Sequence, residues 1–107
     1  MAIDANKLLH NVFFTLNDPS TGMQQKLVDD CYTFLAGVPG SLSFSAGIRA
    51  GNHLRNVNDT EFHVALTILF DSVASHDAYQ DWGRHNEFIA ANSGNWKQVR
   101  VFDSIVR

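Results

Sequence analysis

From Leu8 to Leu16 the side chains alternate, with Leu8, His10, Val12, Phe14 and Leu16 on one face and Leu9, Asn11, Phe13 and Thr15 on the other. That period of two predicts a strand. Asp18-Pro19 then offers a cap residue and a proline for a first helical turn, and Met23, Leu27, Cys31 and Leu35, with Val28 and Phe34, recur at helical spacing up to Gly37. After the turn at Val38-Pro39-Gly40, Leu42, Phe44, Ala46 and Ile48 alternate with Ser43, Ser45, Gly47 and Arg49, which predicts a second strand. A polar stretch, Ala50 to Glu61, leads into Phe62 to Asp71, where Phe62, Val64, Leu66, Ile68 and Phe70 share a face. Strands two and three are therefore expected to form a long-looped hairpin. Tyr79, Trp82, His85, Phe88 and Ile89 place a helical stripe in Ser72 to Asn92, with Gly83 as a break that divides it into two short helices. A turn at Asn92 to Asn95 precedes a last strand, Trp96 to Val106, with Val99, Val101 and Ile105 on one side.

The order strand, helix, strand, strand, helix, strand predicts a ferredoxin-like α+β domain in which the helices cover one face of a four-stranded antiparallel sheet. The other face, with Leu9, Phe13, Ala65, Thr67 and Leu69 beside the small Ser43, Ser45 and Gly47, is smooth and semi-apolar. Such a surface marks an association site. Two copies are therefore expected to pack sheet against sheet as a symmetric homodimer.

Length and composition narrow the function classes. The 107 residues suit a single domain, 1–107, and 45% apolar against 18% charged residues can build a core and excludes a disordered chain. A net charge of −3 without a Lys/Arg cluster gives no footprint for nucleic acid. No apolar run is long enough for a membrane span, and Met1 to Lys7 carries Asp4 with neither a basic start nor a hydrophobic run, so a cytoplasmic protein is expected. Cys31, the one cysteine, has no partner for an internal disulfide and reads as a core residue.

The candidate chemistry lies in two histidines. His10 is on the apolar face assigned to the helices, and His85 is on the stripe of the helix that covers it. Two imidazoles in one cleft, walled by Val12, Phe14, Phe44, Trp82 and Phe88, could act as acid and base on an enolisable carbonyl while Tyr79 stabilises the developing oxyanion. No metal and no cofactor would be required. The competing reading makes both histidines core polar groups satisfied by backbone carbonyls or water. Of the others, His53 belongs to the polar loop, His76 to a helix start, and His63 to the dimer-facing parity of strand three. A metal site from His53 or His63 with Asp59 or Glu61 has no ligand spacing to recommend it.

His10, Val12 and Phe14 in the first strand, the Val38-Pro39-Gly40 turn, and Phe70, Tyr79, His85 and Phe88 around the second helical segment resemble the stress-responsive α/β-barrel (Dabb) family from about Leu8 to Ser104. The resemblance implies a dimeric α+β barrel with the helices outside. Trp82-Gly83 stands where members commonly carry His-Pro, and Asp103-Ser104 where they carry Asp-Tyr. Through the plant polyketide cyclases it resembles, it also implies an aldol closure by His10, His85 and Tyr79 on a small apolar or polyketide-like ligand. A non-enzymatic stress-associated or ligand-binding oligomer and a monooxygenase, cofactor-independent or haem-handling, are the alternative implications.

Overall fold

The computed structural model describes residues 6–107, so Met1 to Ala5, most of the segment read above for an export signal, lies outside it. Four strands, β1 (Lys7–Leu16), β2 (Ser41–Ile48), β3 (Val64–Phe70) and β4 (Trp96–Val106), form one antiparallel sheet in the order β2-β3-β1-β4. Three helices, α1 (Thr21–Asp30), α2 (Val73–Gln80) and α3 (Gly83–Asn92), complete the ferredoxin-like α+β fold. None of the described helices is long and apolar enough to cross a membrane.

The alternation in β1 is followed to the residue. Leu8, His10, Val12, Phe14 and Leu16 are buried beneath the helices, and the intervening residues lie half-buried on the open face. In β3, Val64, Leu66, Ile68 and Phe70 share that covered face. Leu27, Cys31 and Leu35 close over them from α1 and the π-helical turn Cys31–Leu35 that continues it. Burial holds the Cys31 thiol as the neutral form, its pKa pushed up to about 12.

Three expectations are corrected. The cap of α1 is Ser20, whose Oγ accepts from the Met23 amide, and Asp18 instead accepts from the Ser20 amide. Pro19 thus precedes the helix, because Asp18 is spent on organising the turn before it. Phe62 is not on the covered face: β3 begins at Val64, so Phe62 escapes its alternation and packs edge-on against Phe13 of the open face at 5.0 Å. His63 is committed within the chain, since its Nδ1 accepts from the Leu16 amide at 3.0 Å, where the β1-β4 register slips between Thr15 and Leu16. The β1-β3 ladder ends at the Phe14-Val64 pair, and beyond that end the imidazole accepts from the Leu16 N–H.

The second helical segment does divide. Ser72 caps α2, its Oγ accepting from the Ser75 amide at 3.1 Å, and the chain turns extended at Trp82 before Gly83 opens α3. Restarting the helix resets its phase, so Tyr79 of α2 and Phe88 of α3 both reach the core. Edge strand β4 is less completely roofed, which leaves Val99, Val101 and Ile105 between 38% and 52% exposed on the helix side of the sheet.

Candidate active site

Beneath the junction of α2 and α3 lies a cavity of about 120 Å³. Its floor is His10, Val12 and Phe14 of β1, Leu66 of β3, and Val99 and Val101 of β4; its roof is Tyr79 and Gln80 of α2 and His85, Phe88 and Ile89 of α3. His10, His85 and Tyr79 therefore line one space, each imidazole packing on the phenol ring, with centroid separations of 5.7 Å for His10 and 4.4 Å for His85. Val12, Phe14 and Phe88 are among the residues that wall it. Phe44 and Trp82 do not. Phe44 lies on edge strand β2, its ring 5.2 Å from that of Tyr32, and Trp82 caps α3 and packs on the core outside the cavity. A larger cleft of about 260 Å³ beside Lys26 and Asn92 contains no imidazole.

Two side chains given little weight in the sequence complete the site. Asp103 of β4 pairs in register with His10, and its Oδ1 accepts from His10 Nδ1 at 2.6 Å. A carboxylate only accepts, so the proton is fixed on Nδ1 and the Nε2 lone pair is left free. His76, one helical turn before Tyr79, stands with its ring 5.0 Å from that of His10 and its Nε2 3.7 Å from Asp103 Oδ2. Parity carried a signal for Asp103, which shares a side of β4 with Val99, Val101 and Ile105, and the spacing of three carried one for His76. Their convergence on His10 depends on the β1-β4 register and on where α2 docks, neither of which is written in a local pattern.

Burial sets the protonation of the site. It draws His10 below the ordinary histidine value of 6.5, outweighing the hydrogen bond and charge of Asp103, which act upward; His76 adds to the lowering. Burial lowers His85 too, against the Gln80 carbonyl that accepts from its Nδ1, and His10 adds a further lowering. Both imidazoles are thus neutral near pH 7 with Nδ1 engaged, and each keeps a basic Nε2. Tyr79 moves the other way: burial raises its pKa, so its hydroxyl keeps its proton and serves as a donor. The arrangement can accept a proton at imidazole and offer one from phenol. A separate geometric feature is that one donor atom each from His10, His76 and Asp103 lie within 4.8 Å of one another.

Comparison with known proteins agrees with this architecture. The model of the stress responsive A/B barrel domain family matches residues 8–106. No curated protein matches the sequence. Among solved structures, a family member with a ferredoxin-like fold from Mesorhizobium loti superposes with a TM-score of 0.75 at 20% identity, covering 95% of this chain and 98% of that one. A dimeric ferredoxin-like protein of unknown function from Thermobifida fusca gives 0.79 at 17% identity, with coverage of 95% and 92%. The hydroxynitrile lyase of Passiflora edulis gives 0.76 at 19% identity, covering 96% and 95%. At these identities the likeness is one of fold.

Proposed function

Because this chain belongs to the stress responsive A/B barrel domain family, we propose that its chamber is the active site of a homodimeric acid-base catalyst acting on a small carbonyl compound. The observation that carries this reading is the His10-Asp103 pair opening onto a cavity that Tyr79 and His85 also line. In the proposed reaction His10 Nε2 removes a proton α to the carbonyl, and Asp103 balances the charge that the imidazolium acquires. The oxygen of the resulting enolate accepts a hydrogen bond from Tyr79 Oη. His85 Nε2, also a lone-pair site, holds a substrate hydroxyl or takes the proton in a second step. An intramolecular aldol closure of the polyketide-cyclase kind is one outcome of such an enolate. Cleavage of a small hydroxynitrile would use the same base: His10 Nε2 takes the hydroxyl proton as the carbonyl forms and the C–C bond to the nitrile breaks, and the departing cyanide takes that proton back from the imidazolium and leaves as HCN.

Size favours the smaller substrates. At about 120 Å³ the cavity is below the roughly 300–1,000 Å³ of drug-sized sites, so a compact carbonyl compound fits it better than an extended chain. The homodimer in this reading is formed by the open face of the sheet, where Phe13, Phe62 and Phe102 cluster with ring separations of 5.0 and 5.7 Å from Phe13. The dimeric neighbour from Thermobifida fusca supports it.

Enolisation can be measured without knowing the product. The protein is expected to accelerate α-hydrogen exchange of small 1,3-dicarbonyl compounds in D2O, followed by NMR. His10→Asn should reduce that rate by about 10² to 10⁴, the usual contribution of a general base. Exchange no faster than buffer across the panel, or undiminished in His10→Asn, overturns the reading.

A further inference from the structure

We propose that His10, His76 and Asp103 form a binding site for a divalent first-row transition ion of the Zn²⁺ or Co²⁺ type at the edge of the chamber, sharing His10 and Asp103 with it. Their donors, two imidazole nitrogens and a carboxylate oxygen, come from three elements, β1, α2 and β4, and lie mutually within 4.8 Å. Nitrogen and carboxylate donors in this combination suit zinc and its neighbours in the series.

The surroundings of His76 prepare it as a ligand. Asp77 Oδ1 stands 3.4 Å from its Nδ1, and the Gln80 side-chain nitrogen stands 3.2 Å from its Nε2. A carboxylate beside Nδ1 and an amide donor beside Nε2 both select the tautomer with its proton on Nδ1. The Nε2 lone pair is thereby held on the side where Asp103 Oδ2 lies 3.7 Å away. A carboxylate behind a ligating imidazole is the usual outer support of a metal-bound histidine. The ion would displace only the Gln80 amide from that nitrogen.

His10 needs a small adjustment. Its Nδ1 is 2.6 Å from Asp103 Oδ1, whereas two donors each about 2.0–2.2 Å from one ion stand roughly 3 Å apart or more, so the pair must open by a few tenths of an ångström. Asp103 is about one third exposed on an edge strand, which gives it that freedom and leaves water room to complete the coordination. Proton bookkeeping is neutral: as the ion takes Nδ1 of His10, the ring proton moves to Nε2, and no proton need leave. A filled site therefore converts the nitrogen left as an acceptor into a donor.

Isothermal titration of the metal-free protein with Zn²⁺ tests this directly, without substrate. Saturation at one ion per chain is expected. His76→Ala and Asp103→Asn should each weaken binding by about tenfold or more, while exposed His53→Ala leaves it unchanged. Thermal melts establish that each variant is folded, and His76→Gln serves if His76→Ala is not. Histidine NMR adds a second readout, in which Zn²⁺ should move the His10 proton from Nδ1 to Nε2. Absence of saturable binding, an affinity indifferent to both His76 and Asp103, or a His10 tautomer unmoved at saturation overturns the site. None of these outcomes depends on whether the chamber enolises anything.

Discussion

The Asp103 carboxylate decides which nitrogen of His10 keeps its lone pair, and burial decides that it stays unprotonated near neutrality. The same burial has a consequence for stability. Folded His10 and His85 bind a proton less readily than an unfolded histidine at 6.5. As pH falls through that value the unfolded chain takes up protons first, so their contribution to stability is complete above about 6.5 and is lost progressively below it, down to the folded-state values. Thermal melts should show a transition temperature that declines between about pH 7 and pH 5, with a shallower decline in His10→Asn. An equal slope in wild type and variant would mean that other groups govern the acid limb. Asp103→Asn separates orientation from burial: an amide can donate to Nδ1 and so admit the wrong tautomer, and carbonyl exchange should fall even where the melt changes little.

At the scale of elements, the site depends on α2 being held at its first turn. Gly40, at φ 87°, sits against that turn, where an added Cβ would collide with the Ser75 side chain, itself bonded to Asp71 Oδ1 and Ser72 Oγ. Gly37, at φ 81°, faces open space. Gly40→Ala should therefore cost about 1–3 kcal/mol from backbone strain with the collision in addition. Gly37→Ala should cost only the strain, about 1–3 kcal/mol. Urea denaturation measures both, and an equal loss in the two variants would show that the α2 cap yields freely. Because α2 carries His76 and Tyr79, the Gly40 variant should also loosen the chamber. Local pattern made much of this legible. Alternation turned His10 inward, and the stripe from Tyr79 to Phe88 with a break before Gly83 placed Tyr79 and His85 over it. Pattern failed where a residue left its period or answered to a distant strand. Phe62 precedes the ladder of β3, Phe44 sits too far along the sheet from α3, and Asp103 reaches His10 only through the register of β4 on β1.

At the scale of the molecule, both faces of the sheet carry apolar side chains and the described helices cover only one. On the open face the Phe13 ring meets Phe62 and Phe102 edge-on, and Phe102 is 52% exposed, beside an Arg100-Asp59 ion pair at 2.8 Å. Three aromatic rings rimmed by a charged pair have the makeup of an interface core with a polar edge. In a homodimer closed through this face, Phe102 meets its counterpart surface from both sides of the two-fold, so one substitution acts twice. Light scattering should give twice the 11.9 kDa chain mass for the wild type and the single mass for Phe102→Glu, which buries a carboxylate against aromatic rings. His10 and its cavity lie on the opposite side of the sheet, so the Phe102→Glu monomer should retain its chamber. If exchange activity persists in that monomer, the subunit is complete as a catalyst and the interface serves assembly. If it disappears while the fold remains intact by circular dichroism, the partner must brace β4, the edge strand that carries Asp103 on one face and Phe102 on the other.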